Sequence, residues 1–250
     1  MKTTFYRFLG KKVRPIELAY GIKSVLMIKR RDVEVGDQTF YLDPVSDLGI
    51  RLMSYGTYEP EIKEQLSGIL SEGDTFVDLG ANEGYFTVLA SQIVGRSGFV
   101  MAIEPQERLW SIILRNLQLN GCTNVQLVPY AIGEKEEQVE FILTPSVNTG
   151  SSGIVKSSRN SMWKRQITTS ITLDRVLGKR KVKLLKIDIE GYEGFALKGA
   201  TEVLRSGQVD NIIIELHPPQ LQQLGQSTEE VIRQLTDYGY KNRNGIYSRL

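Results

Sequence analysis

The 250 residues predict an α/β fold: a doubly wound, mostly parallel sheet with helices on both faces, plus an N-terminal helical and hairpin extension. Three observations predict it. From residue 76 onward, short apolar runs alternate with segments of helical periodicity, the pattern of a parallel sheet covered on both sides. Polar residues gather just past the carboxyl ends of five such runs, where open α/β sheets bind ligands. A glycine-bracketed bend, Gly80-Ala81-Asn82-Glu83-Gly84, joins the first run to the first helical segment.

Taken in order, residues 5–30 read as one or two helices broken near Pro15. Asp32 to Pro44 reads as a hairpin turning at Gly36-Asp37, and Gly56 to Leu70 as a helix with Pro60 in its first turn. FVDLG (76–80) predicts a strand and 85–94 a helix. FVMAIEP (99–105) predicts a strand and 107–120 a helix. NVQLVPYAI (124–132) reads as one strand, and QVEFILT (138–144) alternates as an added or edge strand does. KLLKIDIEG (183–191) predicts a strand and 195–205 a helix. NIIIELHP (211–218) predicts a strand and 228–238 a helix, and Asn244-Gly245 a closing hairpin turn. The Ser-, Gly- and Lys/Arg-rich segment 150–166 fits either a substrate loop or a surface linker. Two units follow: 1–54 as a basic accessory segment, and 55–250 as the main domain.

Composition excludes several classes. With 41% apolar and 24% charged residues the chain has the material for a packed core. Its one cysteine, Cys122, can build neither an internal disulfide nor a thiolate metal site, and reads as a small half-buried hydrophobe. No run is long and apolar enough for a membrane span, and no signal peptide is read at the N-terminus, so a cytoplasmic enzyme is expected. Residues 1–31 hold nine Lys or Arg and one acid, Glu17. That segment carries +8 against a chain total of +2, so the remainder carries −6. The basic arm is either a solvated helix face or a peripheral contact for anionic membrane. The sequence carries no signal for oligomeric state.

Glycines at 80 and 84 allow close backbone approach and a tight entry into the next helix, whose N–H groups point at a ligand. The spacing is not the G-x-G-x-x-G of dinucleotide sites. Asp78 and Glu83, in or beside the bend, would repel a diphosphate and suit a cation. Glu104 ends the next strand, where a carboxylate accepts both hydroxyls of a ribose. A ligand with ribose, ammonium and sulfonium but no phosphate is S-adenosylmethionine.

DLGANEGYFT, AIEPQ, RNLQLN, LVPYAIGE, LLKIDIEGYEGFALKGA and IIIEL, in that order from about Tyr55 to Leu216, resemble the FkbM family of S-adenosylmethionine-dependent methyltransferases. The resemblance implies a class I methyltransferase (Rossmann-like) fold and O-methylation of a hydroxyl on a sugar, glycan or small metabolite. By position it implies that Asp78, Gly80, Ala81, Asn82, Gly84, Tyr85 and Phe86 form the cofactor loop and its helix start. It puts Glu104 and Pro105 at the ribose, Tyr130, Ala131 and Ile132 beside the adenine, and Glu59 near the methionine end. Asp188 is the further cofactor contact.

Methyl transfer from a sulfonium needs alignment and a group that draws the proton from the acceptor hydroxyl. Lys186, Asp188 and Glu190 alternate onto one side of their strand, where Lys186 and an acid form either a structural ion pair or part of the reacting site. Asp188 and Glu190 are the candidate proton acceptors. His217 is the third catalytic candidate, its ordinary pKa suiting a base. A divalent metal held by Asp188, Glu190 and Glu215 is not favoured, because no histidine joins the cluster. Trp110 and Trp163 read as packing. Besides a binding or scaffold module that keeps the fold without activity, opposed by the complete acidic set, two rival functions are a nicotinamide-dependent oxidoreductase, opposed by the missing glycine pattern, and a nucleic-acid methyltransferase using the basic arm. The second lacks the usual tetrapeptide or a placed cysteine, so nucleic acid is not the expected partner.

Overall fold

The computed structural model describes residues 16–144, 152–154 and 164–249. The helices expected before Ile16, most of the segment 150–166, and Trp163 lie outside them. Helix α1 (Ile16–Val25) leads into the hairpin β1 (Arg31–Val35) and β2 (Gln38–Leu42). Helix α2 (Asp47–Tyr55) is capped by the Ser46 hydroxyl, which accepts from the Gly49 N–H, and ends at Gly56 in the left-handed region. Helix α3 (Pro60–Ile69) starts with proline, whose missing N–H costs nothing there.

The main sheet then begins with β3 (Thr75–Leu79), followed by α4 (Tyr85–Val94), β4 (Phe99–Ile103), α5 (Glu107–Leu119) and β5 (Val125–Val128). A small sheet follows, made of β6 (Ala131–Ile132), β7 (Glu137–Leu143), β8 (Gly153–Ile154) and β9 (Lys164–Ile171). After α6 (Leu173–Leu177) the chain returns to the main sheet with β10 (Val182–Ile187). Helices α7 (Glu193–Lys198) and α8 (Thr201–Arg205) lead to β11 (Val209–Ile214), then α9 (Pro218–Gln223) and α10 (Thr228–Asp237). The hairpin β12 (Tyr240–Arg243) and β13 (Ile246–Arg249) closes the sheet.

The main sheet runs β12-β13-β11-β10-β3-β4-β5. The five central strands are parallel, and β13 is antiparallel to β11. Strand alternation divides the core. Val77, Leu79, Met101, Ile103, Leu185 and Ile187 pack against α7, α8 and α10. Phe76, Val100, Leu184 and Ile213 face α4, α5 and α3. Phe40 and Leu42 of the hairpin, and Leu48 and Leu52 of α2, are buried in that same second cluster. Helix α2 also runs through the 54/55 boundary drawn from sequence.

Local reading and structure part company at identifiable places. The run 124–132 is two strands, because Pro129 cannot donate to a ladder and the chain leaves the main sheet there. The expected helix 195–205 breaks at Gly199, where a Cβ would sit 1.9 Å from the carbonyl oxygen of Gly133. Strand β9 sits in a polar run, QITTSI, with no apolar face long enough to show, and its order comes from pairing with β7. Helices α2, α6 and α9, of nine, five and six residues, are too short to reveal a period. Cys122 is half-buried against the α5 side of the core, as its composition suggested.

Candidate active site

The carboxyl ends of β3, β4 and β10, roofed by the small sheet, enclose about 550 Å³ of space, its open mouth included. Glu104, just past β4, forms one wall and is 2% exposed. One carboxylate oxygen accepts the Asn82 N–H at 2.8 Å and the other the Gln106 N–H at 2.9 Å. These two N–H groups and the Gln106 side chain engage only part of the roughly four acceptor positions of the carboxylate, which leaves capacity for a ligand hydroxyl. Burial pushes this carboxyl up to about 7, against the pull of those backbone donors. The Trp110 indole N–H donates to the Glu104 carbonyl at 2.8 Å, so this tryptophan braces Glu104 as well as packing. Ala131, Ile132, Phe141 and Ile154 supply flat apolar walls beside the half-exposed Tyr130. A ribosyl group with a planar base fits this donor and acceptor set.

Gly80 has φ +92°, and a Cβ there would lie 1.9 Å from the Asp188 carbonyl oxygen. The glycine therefore serves the approach of the β3 and β10 ends, a tighter constraint than room for a ligand. Gly84 has φ +82° but ordinary space for a Cβ, so its backbone angle explains it. Asn82, at φ +50°, completes the bend.

Glu83 corrects the electrostatic reading of this loop. It is buried away from the pocket and receives a bidentate pair from Arg30 at 2.6 and 2.8 Å, so its charge is spent inside the protein and repels nothing in the pocket. The Asn116 side chain ties the Glu83 carbonyl and the Tyr41 N–H together. Asp78 is also off the pocket wall. Thr87 donates to one of its oxygens at 2.6 Å, and the other has no partner. Burial raises its pKa while Lys186 opposes the rise. The register sets Lys186 directly beside Asp78 on the neighbouring strand.

Lys186 is 3% exposed and lies 3.0 Å from Asp188 Oδ2. Burial works against its charge, yet Asp188, Asp78 and Glu59 hold its pKa above the usual lysine value. The ion pair is thus real, and it joins the site rather than replacing it, since Asp188 also lines the pocket. Strand β10 ends at Ile187, so simple alternation does not place Glu190. A left-handed turn at φ +54° brings it to the pocket. Burial pushes Glu190 up to about 7.

His217 arrives from the end of β11. Its Nδ1 is 2.9 Å from Glu193 Oε1, and its Nε2 lies 3.7, 3.8 and 3.8 Å from Asp188, Glu190 and Glu215. Two expectations fall here. A histidine does join the acidic cluster, so one reason for disfavouring a metal is removed, while the acids could equally bind substrate hydroxyls. Burial opposes the imidazolium, but the surrounding carboxylates push its pKa up to about 9, away from the ordinary value that suited a base.

Among the predicted cofactor residues, Gly80, Asn82, Glu104, Pro105, Tyr130, Ala131 and Asp188 line the pocket. Ala81, Gly84, Tyr85 and Phe86 are buried behind it. Tyr85 and Phe86 form an aromatic cluster with Tyr58 and Phe40, so they are core rather than cofactor contacts. Glu59 stands at the α3 N-terminus with φ +42° and, off the pocket wall, shares the field of Lys186. Sequence reasoning placed Ile132 beside the adenine with Tyr130 and Ala131, and missed Gln106, Phe141, Ser152, Ile154, Ile189 and Tyr192. Gln106, Ile189 and Tyr192 adjoin motif residues and were within reach. The others come from the small sheet, which no local pattern joins to the pocket.

A mostly parallel sheet with an antiparallel last strand, a glycine bend after β3 and an acid after β4 define the class: this is the fold of the class I methyltransferases, whose cofactor is S-adenosylmethionine. Residues 78–241 match the family model described as "Methyltransferase FkbM domain". The chain belongs to that family. It is similar to "Methyltransferase 1" of Beauveria bassiana (strain ARSEF 2860), 26% identical over 163 residues, which covers 57% of this chain and 65% of that protein. The chain thus spans somewhat less than two thirds of that relative's length. Among solved structures it is similar to a methyltransferase FkbM from Methylobacillus flagellatus KT (17% identity, TM-score 0.46, 93% of this chain and 60% of that one). It is also similar to a putative rRNA methylase from Clostridium thermocellum (11% identity, TM-score 0.49, 76% and 94%).

Proposed function

We propose that this protein transfers a methyl group from S-adenosylmethionine to a hydroxyl of a sugar, glycan or small metabolite. The observation that carries the reading is one pocket with two unlike ends: a buried, backbone-anchored carboxylate, Glu104, and an acceptor end where Asp188 and Glu190 line the same space. When bound, the cofactor supplies an electrophilic methyl on a cationic sulfur.

The chain's own work is placement and proton removal. Glu104 holds the ribose and fixes the reach of everything attached to it. The small sheet, through Phe141 and Ile154, excludes water from one side. Asp188, held by Lys186, orients the acceptor oxygen, and the Glu190 carboxylate takes its proton as the carbon–oxygen bond forms. A cytoplasmic setting belongs to the same proposal. Its support is the single free cysteine, and no helix among the described residues is long and apolar enough to cross a membrane.

The test is transfer of labelled methyl from S-adenosylmethionine into fractionated glycan and small-metabolite pools. Products carrying the label on oxygen, as methyl ethers, are expected, and Glu190→Gln is expected to lose turnover while binding S-adenosylhomocysteine within about threefold of wild type. Label appearing only on nitrogen or in RNA would remove the hydroxyl assignment.

A further inference from the structure

We propose that Asp188, Glu190 and His217 bind a divalent cation at the acceptor end of the pocket. One potential ligand atom from each lies within 4.8 Å of the others. His217 Nε2 is 3.7 Å from Asp188 Oδ1 and 3.8 Å from Glu190 Oε2. Those separations are too long for hydrogen bonds. Two ligands of one ion at about 2.1 Å sit between about 3.0 and 3.6 Å apart for angles of about 90° to 120°, so a few tenths of an ångström bring His217 to each carboxylate, and the two carboxylates, within 4.8 Å of each other, close on the ion by side-chain rotation.

The other face of the imidazole supplies an independent observation. Nδ1 is 2.9 Å from an oxygen of Glu193, a carboxylate that is 0% exposed, also accepts the Gly191 N–H, and has a second oxygen without a partner. When an ion takes the place of the Nε2 proton, the hydrogen left on Nδ1 is donated to Glu193 and the Nε2 lone pair faces Asp188 and Glu190. A buried carboxylate behind a histidine in this way is the usual support of a metal ligand.

Charge points the same way. Asp188, Glu190, Glu193 and Glu215 surround His217, and Lys186 offsets one of them through Asp188. An ion of charge two balances what remains better than a single proton on the ring. Carboxylate oxygens with one imidazole suit Mn²⁺ or Mg²⁺, and the set contains no thiolate to favour a softer metal. Glu215 Oε1, 3.8 Å from Nε2 on a more exposed side chain, is a fourth ligand within reach. Only the role of the ion rests on the proposed methyl transfer: it would hold and acidify the acceptor hydroxyl, with the second oxygen of Glu190 left for the proton.

The experiment is Mn²⁺ titration of the chelator-stripped full chain, read by electron paramagnetic resonance without acceptor. Wild type is expected to take up one Mn²⁺. Glu190→Gln and Glu193→Gln are each expected to weaken uptake by about tenfold or more, with folding checked by thermal melting. No uptake by folded wild type at millimolar Mn²⁺ overturns the site, and so does equal uptake by wild type and Glu190→Gln. Methyl transfer is followed in parallel with and without chelator. Uptake without any hydroxyl methylation upholds the ion and removes the acceptor reading. Methylation that ignores the chelator, with no uptake, removes the ion and leaves that reading standing.

Discussion

The two ends of the pocket are built on opposite electrostatic plans. At the β4 end a single acid, Glu104, is held by backbone N–H groups of Asn82 and Gln106, with Arg108 as the one cation acting on it. At the β10–β11 end, Asp188, Glu190, Glu193, Glu215 and His217 crowd together with Lys186. The first end recognises by fixed geometry. The second concentrates charge whose balance changes with whatever enters, which suits a place where a proton must leave. Under the proposed methyl transfer, the difference teaches that recognition and reaction would draw on separate parts of the sheet, so that each can be perturbed alone.

The largest expected effect separates the ends through stability. Lys186→Met leaves Asp78 and Asp188 without their buried cation, a change expected to cost about 3–5 kcal/mol. Chemical denaturation should show it, and a loss under about 1 kcal/mol would mean the acids are balanced in another way. Next, Glu104→Ala removes the acceptor for the ribose and strands two backbone donors. Its affinity for S-adenosylhomocysteine should fall about 100-fold or more by calorimetry, while the fold and the β10–β11 cluster persist.

A third measurement sharpens the comparison through pH. The Glu104 carboxyl sits up to about 7 because of burial, above its unfolded value. The empty folded state therefore holds its proton longer than the unfolded chain, and stability from this group is lost as pH rises through 7. Ligand hydroxyls need the ionised form, so affinity should rise about fivefold from pH 6 to pH 7 and just under twofold more by pH 8, where it levels. Glu104→Gln should bind weakly and flatten that dependence. The smallest effect is Tyr130→Ala. A half-exposed aromatic at the mouth should cost about threefold to tenfold in affinity, with turnover at saturation unchanged.

The end near Glu104 was legible because its parts are consecutive: a strand, a glycine bend, a helix and an acid at a fixed interval. Such proximity leaves a motif. Even so, Tyr85 and Phe86, read as cofactor contacts, pack in the aromatic core, since helix periodicity does not reveal which neighbours cover a face. The acidic end was legible as residues but not as a constellation. His217 meets Glu193 across 24 positions, and only the pairing of β10 with β11 brings the two segments together. The roof was the least readable part. Ser152 and Ile154 sit in a segment without period, and a short strand gains its place from its partner.

Arg30 and Glu83 carry one more consequence. The region matching the family begins at residue 78, yet the buried acid in its loop is neutralised by an arginine 53 positions upstream. Trimming the chain to its recognisable portion would strand that acid in the interior with no counter-charge, and the bend between β3 and α4 would have to shift to reach water. A chain begun after Arg30 is therefore expected to be less stable than one that keeps it, although the stretch that makes the chain recognisable starts well downstream.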